Sequence, residues 1–173
     1  TKLALTLSKD GSPDIYTLNL GTGALTKLPK SYSIDTEPVW SPDGGSIVFT
    51  SDRGGKPQLY MISSSGRGEK RITFSGDYNA RASFSPDGKN IAMVHGNGGD
   101  YRIGVMAVGG RSINVITTGP ADESPSFAPN GTMVIYAAKK GGTAYLSAVS
   151  LDGKMQQRLA FNSGGVREPA WAP

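Results

Sequence analysis

The sequence predicts an all-β chain folded as a β-propeller, on three observations. The first is a motif that returns: Pro38-Val39-Trp40-Ser41-Pro42-Asp43-Gly44, Ser83-Phe84-Ser85-Pro86-Asp87-Gly88, Pro125-Ser126-Phe127-Ala128-Pro129-Asn130-Gly131 and Pro169-Ala170-Trp171-Ala172-Pro173. Ser41, Ser85, Ala128 and Ala172 stand 44, 43 and 44 residues apart, a period that marks a unit able to bury its apolar face only against its neighbours. The second is turn chemistry: Pro presets φ near −65°, and Asp-Gly or Asn-Gly accepts the positive φ of a tight reversal. The third is strand patterning with both faces apolar, as in Ile47 and Phe49 against Val48 and Thr50, which suits a sheet packed between two others. Four to eight four-stranded blades around a channel are the architecture that uses this pattern.

Each unit reads as four strands. The first carries the Trp or Phe before the Pro-Asp-Gly turn, and the second is the β-rich run after it: Ser46 to Thr50, Asn90 to Val94 and Thr132 to Tyr136. Gly-rich links at Asp52 to Lys56, Gly96 to Asp100 and Lys139 to Gly142 lead to third strands at Asp14 to Leu20, Gln58 to Ser63, Tyr101 to Ala107 and Thr143 to Leu151. Short fourth strands follow a further glycine turn, at Leu25 to Leu28, Lys70 to Thr73, Asn114 to Thr117 and Gln157 to Ala160. Leu3 to Leu7 matches a second strand, and Glu168 to Ala172 a first strand. The expectation is therefore a single propeller over 1–173, with four repeats cut inside the repeat; either its ends meet to complete one sheet or it belongs to a longer ring.

Composition narrows the function. The chain has 24 Gly, 11 Pro, no Cys and a net charge of +4. Without cysteine there is no disulfide framework, zinc finger or thiol nucleophile in these residues. The basic residues are scattered near turns and not interleaved with exposed aromatics on one face, so no nucleic-acid partner is expected. No apolar run is long enough for a membrane-spanning helix.

Motifs for catalysis are missing as well. Gly-x-Ser-x-Gly and the phosphate-binding Gly-x-x-x-x-Gly-Lys-Ser/Thr do not occur, and Gly96-Asn97-Gly98-Gly99 is a turn because no helix follows it. His95, the single histidine, has no second His or Cys beside it to form a dyad or metal pair. Asp10, Asp43, Asp52 and Asp87 read as turn formers, and Asn130-Gly131-Thr132 as the repeat's own turn.

The residues that differ in kind stand before each first strand: Asp35-Thr36-Glu37, Asn79-Ala80-Arg81, Asp122-Glu123-Ser124 and Arg167-Glu168. The first strand of a propeller blade is innermost, so these groups should ring the channel mouth. Thr36, Glu37, Asn79, Arg81, Glu123, Ser124, Arg167 and Glu168 are the candidate partner-binding residues. Two other uses stand beside docking. The charges can satisfy one another, or Glu37, Glu123 and Glu168 can hold a calcium ion, against which Arg81 and Arg167 weigh. No other cofactor is expected.

The run Pro-x-Trp-Ser-Pro-Asp-Gly-x-x-Ile-x-Phe-Thr-Ser-Asp-Arg-x-Gly-x-x-Gln-Leu-Tyr from Pro38 to Tyr60 resembles the propeller repeat of the TolB family. Ser126 to Tyr136, Val149 to Gly153 and Glu168 to Pro173 are similar to that family's carboxyl-terminal blades, so the resemblance covers the whole chain. It implies a six-bladed ring in the periplasm of a Gram-negative bacterium, within the Tol-Pal envelope system. It also implies binding of the lipoprotein Pal, and of colicin segments that imitate Pal, at the channel mouth, with Thr36-Glu37-Pro38 at the matching position. TolA would be met through an amino-terminal segment without a counterpart here. Arg81 departs from the family pattern in standing where Glu37, Glu123 or Glu168 would place an acid. The rival reading is the gating propeller of a prolyl-oligopeptidase-like hydrolase, and a plainer one is a free four-bladed ring. An open arc leaves bare blade faces and should self-associate.

Overall fold

In the computed structural model, residues 1–9, 11–28, 31–159 and 165–171 are described, with Lys140 described by its backbone alone. Fifteen strands and no helix make up this part of the chain. The first sheet contains β1 (Lys2–Leu7), β2 (Asp14–Asn19) and β3 (Leu25–Leu28). The second contains β4 (Asp35–Trp40), β5 (Ser46–Ser51), β6 (Gln58–Ser63) and β7 (Lys70–Arg71). The third contains β8 (Tyr78–Phe84), β9 (Asn90–Asn97), β10 (Asp100–Ala107) and β11 (Asn114–Val115), and the fourth β12 (Asp122–Phe127), β13 (Met133–Lys140), β14 (Thr143–Ser150) and β15 (Gln156–Leu159). Every sheet is an antiparallel meander in chain order, the topology of a propeller blade.

The turns explain why the repeat motif is spelled as it is. In the second blade Ser41 Oγ donates to Asp43 Oδ1 at 2.5 Å, Asp43 Oδ1 accepts from Gly45 N at 2.9 Å, and Ser41 Oγ accepts from Ser46 N at 2.9 Å. Ser85 and Asp87 repeat this at 2.6 Å, and Ser150 with Asp152 uses the same device between β14 and β15. These hydroxyls, followed by backbone N–H groups, hold the Asp43, Asp87 and Asp152 carboxyls below the usual carboxylate range. Gly44, Gly88 and Gly131 take φ of 68°, 70° and 71°, which a residue with a Cβ adopts at a cost.

The cores lie between blades, as two-faced strands require. Ile47, Phe49, Tyr60 and Ile62 pack with Ile15 and Leu28 of the first blade, whereas Val48, Leu59 and Ile72 pack with Ile91, Met93 and Met106 of the third. Ala92, Val94 and Ile103 face the other way, against Phe127, Val134 and Tyr136 of the fourth. Full burial of Phe49 and Tyr136, at 0% exposed, makes them anchors of two of these seams. Truncation of such a ring to Ala costs about 3–5 kcal/mol.

Three expectations are corrected here. β9 and β13 run on to Asn97 and Lys140, so the links shrink to the two-residue turns Gly98-Gly99 and Gly141-Gly142, all four glycines with positive φ. That is the primed hairpin whose twist matches the strands it joins. β7 and β11 are two residues long, shorter than the runs to Thr73 and Thr117, because Thr73 and Thr117 turn inward and their hydroxyls accept from Leu59 N and Ile103 N at 2.9 Å. Glu168 to Trp171 forms no strand, and no described residue of it pairs with β1; Trp171 N instead donates to Ser126 Oγ at 3.0 Å. This segment continues the series of inner edges β4, β8, β12. Ala160 and Ala172, which fell within expected strands, and Asp10, expected in a turn, lie outside the described residues.

Candidate functional site

Each inner strand carries a bulge at the same place. In β4 two residues, Glu37 and Pro38, stand between the pairs Thr36 with Thr50 and Val39 with Val48, where β5 has only Phe49. β8 and β12 are interrupted identically between Ala80 and Ser83 and between Glu123 and Ser126. The bulges set Glu37, Arg81 and Ser124 at φ of 55°, 55° and 56°, and Glu168, at the same repeat position outside any strand, takes 47°. These are the non-glycine residues with positive φ among the described residues, while 15 described glycines take that region elsewhere. Such backbone costs about 1–3 kcal/mol per residue and collects where a chain trades strain for the aim of a side chain.

The four side chains meet. Together with Pro38, Val39, Ala82, Pro125 and Pro169 they line a cavity of about 370 Å3 at the inner edges of the blades. Arg81 is its hub. Arg81 Nε lies 3.3 Å from Glu37 Oε1, Nη1 donates to Ser124 Oγ at 2.7 Å, and Nη1 lies 3.7 Å from Glu168 Oε1. Glu37 Oε2 further accepts from Thr50 Oγ1 at 2.9 Å and Arg81 N at 3.1 Å. The charges therefore do pair across blades, yet the Arg81 and Glu37 side chains stay 34% exposed and that of Glu168 78%. A polar ring half open to solvent can exchange these pairs for those of a partner.

The structure sorts the remaining candidates. Thr36 is half-buried in β4, and Arg167 is exposed beside Glu168. Glu123 is not the counterpart of Glu37, Arg81 and Glu168; Ser124 is. Glu123 turns into a neighbouring cavity of about 290 Å3 with Tyr78 and Tyr101, and pairs with Lys139 Nζ at 2.8 Å. Glu37, Glu123 and Glu168 thus do not converge on one point, and among the described residues no group of three possible ligands forms a metal site. Asn79 is 0% exposed and lies beneath the rim, so it does not belong to the mouth. Its Nδ2 donates to Gln58 Oε1 at 2.9 Å and to Ser75 O at 2.8 Å, and its Oδ1 meets His95 Nδ1 at 2.8 Å.

Asn79 belongs to a buried polar layer that sequence reasoning missed. Asp35 and Asp122, at 0% and 1% exposed, hold the same place in the second and fourth blades. Asp35 accepts both hydrogen bonds of Arg53 Nη2, at 3.0 and 2.9 Å; Arg53 also pairs with Glu69 and lies over Phe49 and Tyr60. Burial pushes the Asp122 carboxyl up, opposed by Thr117, Gly119 N–H and the Arg102 charge. Burial likewise lowers His95, opposed by Asp77. The signal for the rim was available, because Pro within an inner strand, at Pro38 and Pro125, marks a bulge, and Pro169 repeats the spacing.

The model of the TolB beta propeller domain matches residues 1–173. The chain belongs to the TolB β-propeller family. A Tol-Pal system protein TolB from Bordetella pertussis is 54% identical over 160 residues, which cover 92% of this chain and 36% of that protein. One from Methylococcus capsulatus is 62% identical over 63 residues, 36% of this chain and 14% of that protein. The crystal structure of TolB from Acinetobacter baumannii superimposes with a TM-score of 0.91 at 43% identity, over 99% of this chain and 43% of that one. The chain thus spans little more than a third of the curated relatives that it matches along most of its own length. A puromycin-hydrolyzing peptidase from Mycobacterium tuberculosis has a TM-score of 0.73 at 17% identity over 92% of this chain and 29% of that one, a likeness of fold alone.

Proposed function

We propose that the ring of Glu37, Arg81, Ser124 and Glu168 is a protein-docking surface that takes the lipoprotein Pal of a Tol-Pal system. The observation that carries this reading is the recurrence of positive φ at four equivalent inner-edge positions, where every other described residue in that region is glycine. A fold-driven requirement would have been met by glycine as well; the side chains are what the strain retains. The name of the relatives, Tol-Pal system protein TolB, supports Pal as that partner. Thr36, Arg167 and Glu123 flank the ring and extend the contact. Colicin segments that mimic Pal would use the same ring, and TolA a different part of the full-length protein.

The role is non-catalytic. The ring has the composition of a recognition surface, in which a guanidinium and carboxylates pair with a partner's polar groups while prolines supply rigid apolar contact. The location is the periplasm. The peptidase reading gains nothing from the comparisons, since the likeness there lies in the fold. The test is Pal binding to the full-length protein carrying Glu37→Ala and Arg167→Ala together, with a drop of about tenfold or more expected. Unchanged binding by a variant with an unaltered melting curve would remove the reading.

A further inference from the structure

The outer wall between the second and third blades holds a groove that the channel mouth does not use. It lies between β7, the outermost strand of the second blade, and the turn at Val108 to Arg111 after β10, and encloses about 240 Å3. Met61, Ile72, Ile91 and Met106 form its floor, the last three no more than 9% exposed. Lys70, Arg71 and Arg111 line it, and no carboxylate does. Phe74, 54% exposed, stands beside both guanidiniums, with Arg71 Cζ and Arg111 Cζ each 5.3 Å from its ring centroid.

Three cations gather in this groove without an acidic residue in its lining. Elsewhere Lys56 pairs with Asp77, Lys89 with Asp87, Arg102 with Asp100 and Lys154 with Asp152. Lys70, Arg71 and Arg111 converge without a salt bridge to any described residue, and Arg71 Nε donates only to the Thr73 carbonyl at 2.5 Å. A wholly apolar ligand would cover three cations and leave them unpaired, which is costly. A nucleic acid would offer charge without aliphatic groups for the methionine and isoleucine floor, and Phe74, the exposed ring, is already taken by two guanidiniums.

We propose that this groove docks a short acidic segment of a partner protein, with an apolar side chain seated over Met61 and Met106 and carboxylates meeting Lys70, Arg71 and Arg111. Arginine forks suit bidentate pairing with carboxylates, and Phe74 gives the segment an edge to lie against. This second surface is independent of the channel-mouth reading.

The experiment is fluorescence anisotropy of a labelled peptide, Glu-Glu-Leu-Phe-Glu-Glu, titrated with the full-length protein. Its Lys-for-Glu counterpart and anionic phosphatidylglycerol vesicles are run in parallel. The acidic peptide is expected to saturate and the lysine peptide to stay free. Arg111→Glu, on an exposed turn, should weaken binding about tenfold or more, and added salt should weaken it further. Pal affinity should be the same in Arg111→Glu as in wild type. The proposal is overturned if the acidic peptide fails to bind at about 1 mM, if Arg111→Glu binds it as well as wild type, or if only the vesicles bind.

Discussion

Two layers of the same inner strands, two residues apart, meet different fates. Asp35, Asn79 and Asp122 are 1% exposed or less, and each is held differently: Asp35 by an arginine fork, Asn79 by an amide network, and Asp122 by Thr117 and Gly119 with its Oδ2 unpaired. Glu37, Arg81 and Ser124, on the bulges above, share partners from blade to blade through one guanidinium. The repeat fixes the backbone at both levels, and the charge at each place is chosen by local surroundings. In the lower layer the polar groups hold blades in register; in the upper they stay reachable.

Substitutions that separate the layers should rank accordingly. Asp35→Ala removes two charge-assisted hydrogen bonds from Arg53, whose side chain is only 18% exposed and keeps Glu69 as its ion-pair partner, and is expected to cost about 3 kcal/mol in urea unfolding. Asn79→Leu leaves Ser75 O and His95 Nδ1 without their partner, and a loss of about 2 kcal/mol is expected from the same measurement. Ser124→Gly relieves a positive φ but adds freedom to the unfolded chain, so its stability should lie within about 1 kcal/mol of wild type. A large loss there would make the rim a structural layer like the one below it.

The two displaced pKa values give the buried layer a pH signature. Burial raises Asp122, so its contribution to stability is fully present below the unfolded carboxyl value of about 3.9 and is lost as pH rises through the folded value. Wild type should therefore lose stability relative to Asp122→Asn as pH rises above about 4. Burial lowers His95, so its contribution is present above about 6.5 and is lost as pH falls through the folded value. NMR titration of the two side chains, with urea midpoints across pH, checks both signs.

Much of this was legible in the sequence because propeller blades bury both faces of their middle strands, as in β5 and β9. The 44, 43 and 44 spacing, the Ser-Pro-Asp-Gly turns and the two-sided apolar runs each left a residue-level trace. The mouth was legible in part: Glu37, Arg81, Ser124 and Glu168 do come together. The difference between Asn79 and Arg81 was not, since a polar residue at a strand start reads the same whether it faces the mouth or the seam between blades. The register of Glu123 and Ser124 was missed because charge was weighed above the repeat spacing that places Ser124 with Arg81. The outer groove left no sequence signal, as Met61 and Lys70, paired in the second blade, meet Arg111 of the third only across the seam between blades.

The most direct measurement is calorimetric titration of Pal into the full-length protein bearing Arg81→Glu, compared with wild type. Reversal of the hub charge should repel Glu37 and Glu168 and weaken Pal by about tenfold or more while the fold persists. Wild-type affinity in a folded Arg81→Glu protein would contradict the account.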